Sequence, residues 1–144
     1  MTPDLFFQAA SNLALLGWIL LVFISPFWLG TTKLVSGILV LLLALTYAWL
    51  ISHSFSFSDM EKFGSLDGVM SLFTNKEMVT AGWVHYLAFD LFIGTWIVSN
   101  ARKHAINHCL TVPCLLLTFM LGPCGWLLYI LLRWAITKNY FAEN

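Results

Sequence analysis

Hydrophobic positions in this chain do not alternate or fall on a narrow stripe; they run almost unbroken for the thickness of a bilayer, four times over. The runs cover 5–29, 34–51, 78–98 and 110–134, each near the roughly 20 residues that cross a membrane as helix. The pattern predicts an all-α fold, a polytopic membrane protein with four transmembrane helices in a single domain over residues 1–144. Four helices enclose little volume, so a large aqueous pore is not expected in a monomer.

One long polar stretch, 53–77, interrupts the pattern between the second and third runs. It carries Asp59, Glu61, Lys62, Asp67 and Lys76, interleaved with Phe55, Phe57, Phe63, Leu66, Met70 and Phe73. From Ser58 onward it offers an N-cap, acidic residues in a first turn and apolar residues at helical spacing. An amphipathic helix at the membrane interface is predicted there, serving as a surface anchor or as a lid over the bundle mouth.

Composition agrees with the hydropathy pattern: 60% of residues are hydrophobic and 10% charged, and seven acidic side chains balance seven basic ones. Zero net charge leaves no electrostatic footprint for nucleic acid, so membrane lipids are the expected surroundings. No basic region precedes the first run and no small-residue cleavage site follows it, which predicts that this run is retained as a span. With four spans, Lys62, Lys76, Arg133 and Lys138 fall on one side and Lys33, Arg102 and Lys103 on the other, so orientation is weakly specified. Cys109, Cys114 and Cys124 are odd in number and sit in or at the start of the fourth run; they are expected as small buried hydrophobes rather than a disulfide framework or metal site.

Chemistry concentrates in the third run, where His85 and Asp90 interrupt apolar sequence. An aspartate near the middle of a transmembrane helix costs roughly 2.5 to 3.5 kcal/mol on insertion scales, which predicts that Asp90 faces the protein interior. At 100° per residue, Trp83, Tyr86, Asp90, Gly94 and Ile97 share one face. His85 falls about 140° from Asp90, on the side of Phe89, Phe92 and Trp96, so an undistorted helix gives no direct bond between the two. Gly94 admits a neighbouring helix beside Asp90, and the aromatic rings supply flat walls suited to a rigid polyene or ring. The bland alternative is that Asp90 only fixes helix packing. The other histidines, His53, His104 and His108, lie near span ends, and His53 is a poor axial partner for His85 across a haem.

The fourth run contains Pro113 and then Gly122-Pro123-Cys124-Gly125 at mid-membrane. Pro123 has no N–H for the Phe119 carbonyl, which predicts a kink and a freed carbonyl at depth. That carbonyl needs a partner. Asp90, at similar depth on an adjacent helix and protonated, is the expected donor.

Trp83, His85, Leu87, Asp90, Leu91 and Phe92, followed by the Pro123-Cys124-Gly125 step, resemble the abscisic acid deficient four family of neoxanthin-synthase-like membrane proteins. The resemblance runs along nearly the whole chain, with its specific motif in the third and fourth runs. Plant members serve the conversion of violaxanthin to neoxanthin and carry a transit peptide; this chain begins at Met1 directly before its first run, which fits a bacterial-type relative in an inner or photosynthetic membrane. The implied reaction opens a ring epoxide and forms an allene, an isomerisation that requires no cofactor and no metal. It does require an acid to protonate the epoxide oxygen and a base to remove a proton beside the ring. On the resemblance Asp90 is the catalytic acid and His85 the base, with Trp83, Tyr86, Phe89 and Trp96 around a carotenoid ring and Pro123 shaping the cavity by its bend.

A second reading from another class is a non-catalytic one: a small carotenoid-binding or accessory subunit packed against a larger membrane-protein complex. Abundant aromatic residues and few polar groups suit such lateral contacts. A transporter or proton path fits less well, because Asp90 and His85 are the only buried ionisable candidates and a relay needs more polar stations.

Overall fold

The computed structural model describes residues 2–138 and 140, and among them every regular element is helical. Three helices are long and apolar enough to cross a membrane: α1 (Pro3–Ile24), α2 (Thr31–Ser54) and α4 (Lys76–Lys103), of 22, 24 and 28 residues. At 1.5 Å per residue these lengths are about 33, 36 and 42 Å, against a hydrocarbon core of about 30 Å. Between α2 and α4 lie a 3₁₀ helix, Phe57–Gly64, and the short α3, Leu66–Leu72. After α4 come α5 (His108–Leu121) and α6 (Pro123–Thr137).

Helix α4 is the centre of the bundle. More than half of its most apolar window is buried, 56% against 28% for α1 and 22% for α2. Its start is capped by the Asn75 side chain, which accepts from the Glu77 N–H at 2.8 Å. Small residues bring its partners close. A Cβ on Gly17 of α1 would lie 2.7 Å from the Leu91 side chain, and one on Gly94 would lie 2.8 Å from the Trp18 ring, so α1 meets α4 through glycine on both sides of the contact.

The connection from α1 to α2 turns beneath the end of α4. Local π-type winding over Leu20–Ile24 is accompanied by carbonyl groups turned toward neighbours: Val22 O meets His108 Nε2 at 2.8 Å, and Ser25 O accepts from Arg102 Nη2. Arg102 also reaches the carbonyls of Trp28 and Leu29 at 3.4 Å. A cation thus closes the C-terminal end of α1, where free carbonyls concentrate partial negative charge.

Two expectations change. The polar stretch forms a 3₁₀ turn before its α-helix, and its start is Ser56, not Ser58. The Ser56 N–H and Oγ both donate to Asp59 Oδ2, at 2.9 and 3.0 Å, and Ser65 begins α3 anew by accepting from the Gly68 N–H at 3.1 Å. Lys62 Nζ, 2.7 Å from Asp59 Oδ1, joins the Ser56 donors in holding the Asp59 carboxyl down to about 2 from an ordinary 3.8.

The larger change concerns the fourth run. It is not one kinked helix but two, α5 and α6, of 14 and 15 residues. Gly122 separates them with φ +40° and ψ −95°, a conformation closed to most L side chains. The chain then folds back on itself. A Cβ on Gly125 would fall 2.1 Å from the Thr118 nitrogen, whereas residues seven apart on a continuous helix are separated by roughly 10 Å of rise. Side chains of α6 confirm the return. The Tyr129 ring meets Trp96 edge-on at 5.8 Å, and Tyr129 Oη and Arg133 Nη1 donate to Asn100 Oδ1 at 2.7 and 3.3 Å. Thus α5 descends from the Lys103 end of α4 to the level of Asp90, and α6 climbs back beside α4 to Asn100. A proline inside a helix removes one bond, but Pro123 here stands at the first position of a new helix, where its missing N–H costs nothing. Cys114 is buried within α5, whereas Cys109 and Cys124 are exposed and do not behave as buried hydrophobes.

Candidate functional site

The tip of the α5–α6 hairpin lies against Asp90. A Cβ on Gly122 would be 2.6 Å from Asp90 Oδ1, so the backbone turns directly over the carboxyl group. Asp90 is 9% exposed, and its Oδ2 is buried with no hydrogen-bond partner among the described residues. Tyr86, one turn earlier on α4, directs its hydroxyl at the tip and donates to the carbonyls of Phe119 and Met120 at 3.2 and 3.3 Å. The carbonyl expected to be freed by Pro123 is therefore satisfied by Tyr86 and not by Asp90. The carbonyl is the expected one and the donor is not, because Tyr86 and Asp90 are i, i+4 neighbours and the longer side chain reaches first.

Trp83 shares this side of α4 but engages α1. Its Nε1 donates to Ser11 Oγ at 2.9 Å, and its ring stacks on Phe7 at 5.3 Å. Trp96 packs edge-on against Tyr129, within the hairpin contact. These aromatic residues hold helices together around Asp90, and they do not line one shared chamber with it.

His85 points elsewhere and, unlike Asp90, is exposed and not the buried group expected from the sequence. Its ring stacks on Phe89 at 4.7 Å with an interplanar angle of 20°, and meets the Tyr47 ring edge-on at 5.4 Å. It borders a partly open cavity of about 400 Å³ lined by Tyr47 and Ile51 of α2, Phe55, Phe63 of the 3₁₀ turn, Leu72 of α3, Phe73, and Met78, Gly82 and His85 of α4. Except for the Tyr47 hydroxyl and the His85 imidazole, the lining side chains are apolar. No protein hydrogen bond occupies either polar group among the described residues. The polar stretch 53–77 thus roofs a cavity with Phe63, Leu72 and Phe73, and a Cβ on Gly82 would meet the Phe73 ring at 2.9 Å. Volume and lining fall within the usual range of small-molecule sites, apolar walls with few convergent polar groups.

The sequence-predicted residues therefore divide. Asp90, Tyr86 and Pro123 meet at the hairpin tip; Trp83 and Trp96 brace that region from two sides; His85 and Phe89 belong to the roofed cavity. Asp90 and His85, five residues apart on one straight helix, face different neighbours, as their angular separation requires. Tyr47 escaped sequence reasoning because it sits in the uniformly apolar run 34–51. The available signal was its hydroxyl, a polar group on a ring in the middle of leucine and alanine. No group of three or more His, Cys, Asp or Glu side chains is arranged to hold a metal among the described residues.

Neither curated proteins nor solved structures yield a match to this chain. A profile of the family described as ABA DEFICIENT 4-like matches residues 5–129. That stretch contains the Trp83-to-Phe92 motif, the Pro123-Cys124-Gly125 step and every residue of the roofed cavity. With most of its length matched, the chain belongs to the ABA DEFICIENT 4-like family, the neoxanthin-synthase-like proteins.

Proposed function

We propose that this protein binds the ring end of a carotenoid or similar isoprenoid lipid in the cavity between α2, α4 and the 53–77 roof, and acts on it by proton transfer. The observation that carries this reading is the cavity of about 400 Å³, apolar except for Tyr47 and His85. Its walls suit a hydrocarbon ring and the start of a polyene. The two polar groups suit an oxygen substituent on that ring, since a buried hydroxyl or epoxide oxygen without a partner costs free energy.

An epoxide-opening isomerisation needs a proton delivered to oxygen and another removed from carbon. Tyr47 is the donor to the ring oxygen and His85 the acceptor of the carbon-bound proton; the imidazolium then returns its proton to the Tyr47 oxygen, the two rings meeting edge-on at 5.4 Å, so the cycle closes without a redox cofactor. Asp90, packed under Gly122, is assigned to holding the hairpin and not to contact with the ligand. This replaces the Asp90–His85 acid–base pair by a pair whose members border one space.

The test is expression in membranes that contain epoxy-xanthophylls, followed by chromatography and mass spectrometry of the pigment inventory and of pigment bound to the purified protein. Wild type should retain pigment and change the inventory. Tyr47→Phe and His85→Gln should keep pigment but stop conversion, and Gly82→Leu, which fills the cavity, should lose pigment. Wild-type protein that is well expressed yet neither holds nor alters a carotenoid overturns the reading. Retention without conversion in every protein favours a carotenoid-binding subunit, and co-purification with other chains in fixed ratio favours an accessory role.

A further inference from the structure

The cationic side chains are distributed unevenly once the hairpin's course is followed. Because α6 returns to the level of Asn100, Arg133 and Lys138 lie at the same end of the molecule as Lys33, Arg102 and Lys103. Only Lys62 and Lys76 lie at the other end. Five of the seven acidic side chains show the reverse arrangement, with Asp4, Asp59, Glu61, Asp67 and Glu77 at the end that carries the roof; Asp90 sits midway along α4, and Glu143 lies outside the described residues. A four-span layout would have moved Arg133 and Lys138 across and left the two ends nearly balanced.

Each half of the hairpin is about 21 to 23 Å long, short of a hydrocarbon core of about 30 Å. Its tip stops at Asp90, near the middle of α4. Backbone that turns at such a depth is tolerated where protein surrounds it, and here Tyr86 satisfies two tip carbonyls while α4 covers the turn. From these observations we infer that the chain crosses the membrane three times and then dips in and out as a re-entrant hairpin. The end bearing Lys33, Arg102, Lys103 and Lys138, with Arg133 buried beneath it against Asn100, faces the cytoplasmic leaflet and its anionic headgroups. With the buried Arg133 left out, the ends and flanks of the helices give a four-to-two excess of Lys and Arg on that side, which is the quantity that orients membrane proteins. The roof and the His85 cavity then open toward the opposite leaflet, so a lipid ligand enters from there.

The placement of the cavity mouth rests on the ligand reading; the crossing number and orientation do not. They are tested on the full chain in a bacterial host by single-cysteine labelling, with Cys109, Cys114 and Cys124 replaced by alanine and one cysteine restored at Lys33, Lys62 or Lys138. A membrane-impermeant maleimide should label Lys62→Cys in intact cells, and should reach Lys33→Cys and Lys138→Cys only after permeabilisation. Lys62→Cys and Lys138→Cys reacting from the same face would restore four spans and overturn the hairpin. Labelling of Lys138→Cys but not Lys62→Cys in intact cells would overturn the orientation. If the cysteine-free protein fails to accumulate, green fluorescent protein joined after Lys62 and, separately, after Asn144 of the native sequence reads both sides. The Asn144 fusion should fluoresce and the Lys62 fusion should be dark, with alkaline phosphatase active at Lys62 instead; fluorescence from both at normal expression restores four spans, and the reverse pattern overturns the orientation. Because no ligand enters these assays, their failure is distinguishable from failure of the pigment experiment.

Discussion

Replacing Gly122 by alanine tests the hairpin at its most constrained point. Two costs arise together. The backbone at φ +40°, ψ −95° is sparsely populated for residues with a Cβ, and holding it there costs about 1 to 3 kcal/mol. The added methyl group would also sit 2.6 Å from Asp90 Oδ1 and 3.2 Å from its carboxyl carbon, an overlap of the kind that costs about 1 to 3 kcal/mol in packed interiors. A destabilisation of about 2 to 6 kcal/mol is expected from the two together, toward the lower end if Asp90 swings aside. Reversible unfolding in mixed micelles, followed by tryptophan fluorescence, measures it, and Trp96 and Trp126 lie on the elements that would separate. The two contributions can be resolved. Asp90→Ala in the same protein removes the overlap but leaves the backbone strain, so the double variant should recover part of the loss relative to simple additivity. A Gly122→Ala protein within about 0.5 kcal/mol of wild type, or a double variant that is strictly additive, would refute the account of the tip.

Three further outcomes follow from other contacts. Tyr86→Phe removes the donor shared by the part-buried Phe119 carbonyl and the more exposed Met120 carbonyl; a loss of about 1 to 3 kcal/mol in the same unfolding assay is expected for leaving carbonyls unpartnered where lipid, not water, surrounds the tip, and an unchanged midpoint would show that the carbonyls find another donor. Gly125→Val should be worse than Gly125→Ala, because even a Cβ would press on the Thr118 backbone nitrogen at 2.1 Å, and limited proteolysis should cut the α5–α6 turn only in these variants. In the roof, Asp59 has a folded-state pKa lowered from 3.8 to about 2, so its stabilisation of the 3₁₀ turn is complete above about pH 4 and is lost as pH falls through about 2. Amide exchange over 56–64 should therefore accelerate across that window in wild type and show no such acid step in Asp59→Asn.

The helical spans were legible because they depend on a quantity carried by each residue separately. Runs centred on 5–29, 34–51 and 78–98 became α1, α2 and α4 with ends displaced by a few residues, since a long apolar segment has one low-energy conformation in lipid. The fourth run carried the same hydropathy and a different outcome. Its fate turned on Gly122 and Gly125: one permits a backbone geometry closed to other residues, and the other lets two helix backbones touch at Thr118. Pro123 was visible, but a proline alone is compatible with a kink, a break or a fresh start, and only tertiary contact with Asp90 and Asn100 selects the last. The roof was misplaced by two residues for a related reason, as Ser56 and Ser58 are equivalent caps until Asp59 chooses Ser56.

Within α4, sequence periodicity separated Asp90 from His85 correctly, and the structure gives the separation a physical use. A carboxyl group at bilayer depth is costly wherever it faces lipid, so it is retained where protein excludes lipid. The hairpin tip is such a place, and Asp90 there lies against a turn that only glycine can make. An imidazole on the opposite side of the same helix faces an apolar cavity, where it has no internal partner to satisfy it. The two ionisable groups therefore report opposite things. Asp90 is enclosed under the Gly122 turn, its Oδ2 without a partner among the described residues, while Tyr47 and the exposed His85 border a space that the protein leaves unfilled. Substituting the first should chiefly alter how much folded protein is recovered; substituting the second pair should leave the fold and the bound pigment intact and stop its conversion.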